Sequence, residues 1–150
     1  MDAVEMLKAD HQKVKKLFQT YEAAGDRAYQ KKKDIAEQVF MEITIHSSLE
    51  EELFYPAVKE QADKEGKQLV AESVEEHHVV AIFIKEMKAL DPKDERYDAK
   101  FSVLQENVEH HIEEEEGELF PEAEQVLGKT IKDLGAQMEK RKDQLMASRG

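Results

Sequence analysis

Apolar residues recur along this chain at alternating spacings of three and four. A first stretch reads Val4, Leu7, His11, Val14, Phe18, Tyr21, and a second reads Ile35, Val39, Ile43, His46, Glu50, Leu53. The third runs Val70, Ser73, His77, Val80, Ile84, Met87, and the fourth Tyr97, Phe101, Leu104, Val108, His111, Glu115, Leu119. Such spacing lays one stripe along one face of an α-helix. In a fifth segment Ile131, Leu134, Met138 and Leu145 face one way. Strand-like alternation is not evident in any stretch. Between the stripes, residues 24–33 and 63–67 read as loops, Asp91-Pro92 stops the third helix and can cap the next, and Gly128 closes the fourth. The pattern predicts an all-α fold, an antiparallel up-down four-helix bundle with an additional C-terminal helix packed outside it. A length of 150 residues suits a single domain, with the bundle at about 2–127 and the last helix at about 130–146.

Composition narrows the function classes. The 34 Asp and Glu against 22 Lys and Arg give a formal charge of -12. Nucleic-acid binding and docking on anionic membrane both need the opposite sign, so neither is expected. Charged residues make up 37% of the chain, against about 25% in an average domain. Yet 40% is apolar, enough to argue against disorder. The longest purely apolar run, 79–84, is too short to span a bilayer. The first ten residues carry charge throughout, so no leader peptide is expected and the cytoplasm is the expected compartment. With no cysteine, thiolate metal sites and thiol catalysis are excluded. A metal site here has to use imidazole, carboxylate or backbone oxygen.

The polar residues on the stripes then become informative. Four of the six histidines, His11, His46, His77 and His111, lie on apolar faces, one per predicted helix. Two of them are followed four residues on by a glutamate on the same face, as His46–Glu50 and His111–Glu115. Buried carboxylates and imidazoles are costly unless partnered, and a metal ion partners both. In a chain this acidic, a glutamate four after a histidine is unremarkable, and a lone histidine on an apolar stripe is ordinarily a hydrogen-bonded core residue. The repeat is harder to dismiss. His11 and His77 are each followed by apolar residues at +3, +6 and +7; His46 and His111 are each followed by Glu at +4 and Pro at +10. The copies are offset by 66 and 65 residues. Two facing halves would offer four imidazoles and two carboxylates, a set suited to two first-row metals, iron before zinc or manganese. His78 and His110 sit off the stripes and are expected to face solvent, as is the acidic run 113–116 apart from Glu115. The methionines and phenylalanines on the stripes read as core packing. A ferritin-like site needs Glu-x-x-His on two helices; Glu75–His78 is the sole match, and His78 is off its stripe.

The segments DHQKVKKLF, HSSLEEELFYP, EEHHVVAIF and HHIEEEEGELFP, in this order, resemble the ligand-bearing segments of the hemerythrin-like family, the HHE cation-binding domains. The tail LGKTIKDLGAQMEKRKDQL is similar to the closing helix often found there. The resemblance implies a bundle around a non-heme di-iron centre. His11 and His46 would bind one iron, and His77 and His111 the other. Glu50 and Glu115 would bridge them, alongside a solvent-derived oxo or hydroxo bridge. Oxygen-carrying hemerythrins have a further histidine one turn after the third-helix ligand; here that position is Ala81. Their last carboxylate is an aspartate at +5, where this chain has Glu115 at +4. The departure at Ala81 favours a site that binds, senses or reacts with oxygen, peroxide or nitric oxide over a reversible carrier, and an unassigned carboxylate or tyrosine could fill the vacancy. Catalytic turnover of such an oxidant is one reading; a metal-stabilised, iron-responsive or interaction module without catalysis is the alternative.

Overall fold

The computed structural model describes residues 1–149, and among them there is no strand. Helix α1 (Ala3–Ala23) connects through 24–28 to α2 (Tyr29–Leu49). A π-helical turn, Glu50–Phe54, then joins α2 to the short α3 (Tyr55–Gln61). Helix α4 (Lys64–Lys88) returns, and α5 (Glu95–Glu114) runs through a second π-turn, Glu115–Leu119, into α6 (Phe120–Leu127). The outer helix α7 (Thr130–Arg149) packs on α1, α2 and the first π-turn. The architecture is the expected helical bundle with an extra C-terminal helix. No described helix is long and apolar enough to cross a membrane.

Side-chain caps explain where several helices start. Asp2 and Glu5 form a reciprocal capping box at α1, with Glu5 N donating to Asp2 Oδ1 at 2.8 Å and Asp2 N to Glu5 Oε1 at 3.1 Å. Asp63 accepts from Gly66 N at 2.9 Å and Asp94 from Arg96 N at 2.9 Å. These caps correct two boundaries. Asp63 starts α4 at Lys64, so most of the loop expected at 63–67 is helix. Asp94, not Asp91, caps α5; Asp91 holds the turn before it by accepting from Lys93 N. The lysines expected in the 24–33 loop belong to α2. Lys32 is buried there, paired with Asp98 at 3.3 Å and lying over the Tyr21 ring. Gly128, at φ 52°, ends α6 in a backbone region that L side chains rarely adopt. Gly135 lets α7 approach the backbone of Met1–Ala3 so closely that a Cβ there would collide with it.

The apolar core is in two parts. One surrounds Leu7, Leu49, Phe54, Tyr55, Leu119 and Phe120; the other surrounds Phe18, Val39, Phe40, Phe101 and Leu104. Between them lies a buried polar layer of histidines and glutamates, at the level where both π-turns begin.

Candidate metal centre

All six residues singled out by the repeat converge in that layer. His46 Nε2 and His77 Nε2 approach Glu50 Oε1 at 3.2 and 3.1 Å. On the other carboxylate, His11 Nε2 is 3.1 Å from Glu115 Oε1 and His111 Nε2 is 3.3 Å from Glu115 Oε2. The rings pair as His11 with His46, centroids 5.0 Å apart, and His77 with His111, 4.9 Å apart. Each carboxylate therefore reaches one imidazole of each pair. Within this layer two clusters have ligand atoms within 4.8 Å of one another: His11, His46 and Glu115, and Glu50, His77, His111 and Glu115; a third, of Glu76, His110 and Glu114, lies nearer the surface.

The outward nitrogens explain why the inward ones face as they do. His46 Nδ1 donates to Asp10 at 3.0 Å and His11 Nδ1 to Glu116 at 2.7 Å. His77 Nδ1 donates to Glu51 at 3.0 Å and His111 Nδ1 to Glu76 at 2.7 Å. An ionised carboxylate only accepts, so each Nδ1 carries a proton, and a ring that binds a cation has its Nε2 lone pair turned toward the centre. Lone pairs then meet lone pairs. His46 Nε2 and both oxygens of Glu50 are buried without a hydrogen-bond partner. A cation satisfies all of these atoms at once, and imidazole with carboxylate is a donor set that first-row metals accept. The residues present fit a metal centre.

Protons respond to the same field when no cation is bound. Burial alone would lower the His111 imidazole, but hydrogen bonds with Glu115 and Glu76 outweigh it and push it up to about 10. His46 is likewise held well above its ordinary value; burial opposes this, and the Glu50 charge and the Asp10 bond override burial. Burial works to raise Glu50, yet the facing His46 draws it well below the usual carboxylate range.

Several participants are not marked by the stripes or the repeat of histidines. The run 113–116 is expected to be solvated except for Glu115, but Glu116 also turns in, its long side chain reaching round the helix to α1. Asp10, Glu51, Glu76 and Glu116 follow a readable rule. An acid precedes the first histidine of each half, and an acid follows the glutamate. His78 and His110 are exposed as expected, and His110 pairs with Glu114 at 3.1 Å. Tyr55 is the main addition. Its hydroxyl donates to Glu115 Oε2 at 2.6 Å and lies 3.2 Å from His77 Nε2 and 3.5 Å from His111 Nε2. Burial, with the charges of Glu50 and Glu115, holds its phenol well above the usual tyrosine range. Helical phase explains why it stands off the predicted stripe. A turn of i→i+5 type brings Tyr55 over Glu50 on the inner face and moves Leu53, expected on the stripe, toward its edge.

A small cavity of about 40 Å³ lies against the inner side of the cluster, walled by Val14, Ile43, Val80, Val108 and Ile112. A water needs about 10–15 Å³ on the same measure, so the space suits a species of two or three heavy atoms.

A known family shares these features. The family model described as Hemerythrin HHE cation binding domain matches residues 2–123. A protein of Nostoc sp. (strain PCC 7120) named DNA nickase is 27% identical over 120 residues, covering 80% of this chain and 33% of its own length. An uncharacterised hemerythrin-like protein of Schizosaccharomyces pombe is 26% identical over 112 residues, covering 75% of this chain and 54% of its own length. The chain thus spans about a third and about half of these two relatives. The crystal structure of a hemerythrin HHE cation binding domain-containing protein from Mycobacterium kansasii superposes with a TM-score of 0.84 at 23% identity, covering 99% of this chain and 89% of that one.

Proposed function

The chain belongs to the hemerythrin HHE cation-binding family, a metal-binding family, and on that premise we propose that it holds two iron ions and reacts with a small oxidant such as oxygen, peroxide or nitric oxide. His11 and His46 would hold one iron and His77 and His111 the other, with Glu50 and Glu115 lying between the two pairs. When bound, ferrous iron supplies electrons and a pair of adjacent positive charges on which a small oxidant can be reduced.

The protein's own groups set the conditions. The four outer carboxylates fix each imidazole tautomer and orient its inward nitrogen. The apolar wall of Val14, Ile43, Val80 and Val108 keeps bulk water and organic substrates away. Tyr55 is a further oxygen donor beside His77 and His111, and its hydroxyl keeps a proton at the edge of the centre. Ala81 offers no ligand one turn after His77, where oxygen carriers have a histidine, and this supports redox chemistry over reversible carriage.

The observation that carries this reading is the 40 Å³ apolar cavity against the histidine cluster. It has room for a diatomic molecule or peroxide. Anaerobic protein loaded with ferrous iron, mixed with oxygen in a stopped-flow instrument, tests it. Prompt oxidation without a lasting adduct is expected. A stable, reversible adduct would instead make the protein a carrier or sensor, and protein that stays folded while rejecting iron would sink the di-iron reading.

A further inference from the structure

One described groove adjoins the cavity directly. It is larger, lies between α2 and α4, and shares Ile43, Ser47, His77 and Val80 with the cavity. These four residues therefore border both spaces. The smallest of them is Ser47, which is half-buried, and Ala81 lies exposed in the groove.

The internal repeat provides a control within the same molecule. The counterpart of Ser47 in the other half is Ile112, which also lines the cavity but is large and buried. Ala81 corresponds to Lys15, and Ser48 to Glu113. The small residues that leave a path between α2 and α4 are thus replaced by bulky or long ones between α1 and α5. Charge adds a second filter. Glu51 and Glu75 line the groove together with His78, and no described lysine or arginine does. Carboxylates at the mouth of a low-dielectric passage repel anions before they reach it.

Resting on the di-iron reading above, we infer that the oxidant reaches the centre through the α2–α4 groove, past Ala81 and Ser47, and that this path admits small neutral molecules, nitric oxide, oxygen or hydrogen peroxide, in preference to anions. Ser47 acts as a specificity-determining residue through its size. On the counterpart face, Ile112 and Lys15 stand where Ser47 and Ala81 leave space.

The test uses iron-loaded full-length chain, with iron content and the association rates of nitric oxide and azide as readouts. Ser47→Ile copies the residue of one half into the other. It should keep its iron and bind nitric oxide about tenfold more slowly, as roughly 1.4 kcal/mol on a passage barrier would produce. Ala81→Phe narrows the exposed mouth without touching the core and should slow binding in the same direction. Lys15→Phe, its mirror, should leave the rate unchanged. Glu75→Gln should speed azide binding several-fold and leave nitric oxide alone. Iron-loaded Ser47→Ile and Ala81→Phe proteins that bind nitric oxide at the wild-type rate would overturn the route, as would equal slowing by Lys15→Phe. An equal response of both probes to Glu75→Gln would overturn the charge filter. Wild-type protein that takes up no iron overturns the di-iron reading itself, a failure visible in the iron content before any rate is measured.

Discussion

The two halves of the bundle supply the same groups at matching offsets and then differ in what surrounds them. His11 and His77, His46 and His111, Glu50 and Glu115 correspond, and so do the acids behind the imidazoles, Asp10 with Glu76 and Glu116 with Glu51. The differences lie one layer out. Tyr55 and its counterpart Phe120 each stack on a histidine, His77 and His11, with centroids 5.5 Å apart, but only Tyr55 adds a hydroxyl, set against His77 and His111. Asp10 is buried and also held by Lys142 of α7 at 2.8 Å; Glu76 is half-exposed and lies beside His110 and Glu114. Repetition gathers four imidazoles and two carboxylates in one layer, and divergence around it makes the two halves unequal.

The largest predicted effect is one the halves share. Glu115 belongs to both ligand clusters, so Glu115→Ala should abolish iron uptake at both positions, read by metal analysis of the purified protein. Losing only half the iron would break the proposed bridging. Next comes metal removal as a function of pH. His46 and His111 are counterparts, and both are raised in the folded chain, His111 to about 10. A raised imidazole stabilises the fold fully below its unfolded value of about 6.5 and loses that contribution as pH climbs through the folded one. The melting temperature of chelator-treated protein should therefore fall between about pH 6.5 and 10, while that of iron-loaded protein stays flatter. Flat curves for both would show that these histidines do not hold protons in the metal-free state.

Smaller effects should separate the halves. Asp10→Ala should weaken metal binding by about 10–100-fold in a chelator competition, because His46 loses a buried orienting partner. Glu76→Ala should fall at the low end of that range, since water can replace a half-exposed carboxylate. Equal losses would remove the asymmetry. Lys142→Met should cost less than about tenfold, acting only through Asp10. Tyr55→Phe should change iron content least of all, yet abolish any tyrosine-to-iron absorption in the visible. Phe120→Tyr then asks whether the other position can accept a phenol.

Much of this architecture is legible in the amino-acid sequence. The spacing of three and four places the helices, and the repeated His–Glu offsets locate the six residues that meet in the polar layer. Boundaries are less legible, because caps such as Asp63 and Asp94 act through geometry that an acidic loop disguises. The outer acids hide for a related reason. In a chain with 34 of them, Glu51 and Glu116 look like ordinary solvated surface, and only comparison of the halves sets them apart. Tyr55 is hidden because a single helical period leaves it off the stripe, and the period changes at the residue where the centre begins.

Both π-turns carry the same meaning as a matter of counting. Each arm that carries a His–Glu pair contains one residue more than a continuous α-helix would need to join the two cores. The chain on either side of the polar layer is therefore written in two different reading phases. Below the layer the inward residues are Val39, Ile43 and His46; above it they are Phe54, Tyr55 and Val58, a sequence that would face partly outward if the first phase continued. Deleting one residue from either turn would be no local trim. It would swing every side chain beyond the turn by about 100° and trade Tyr55 or Phe120 for a neighbour, recoding one core while leaving the other unread.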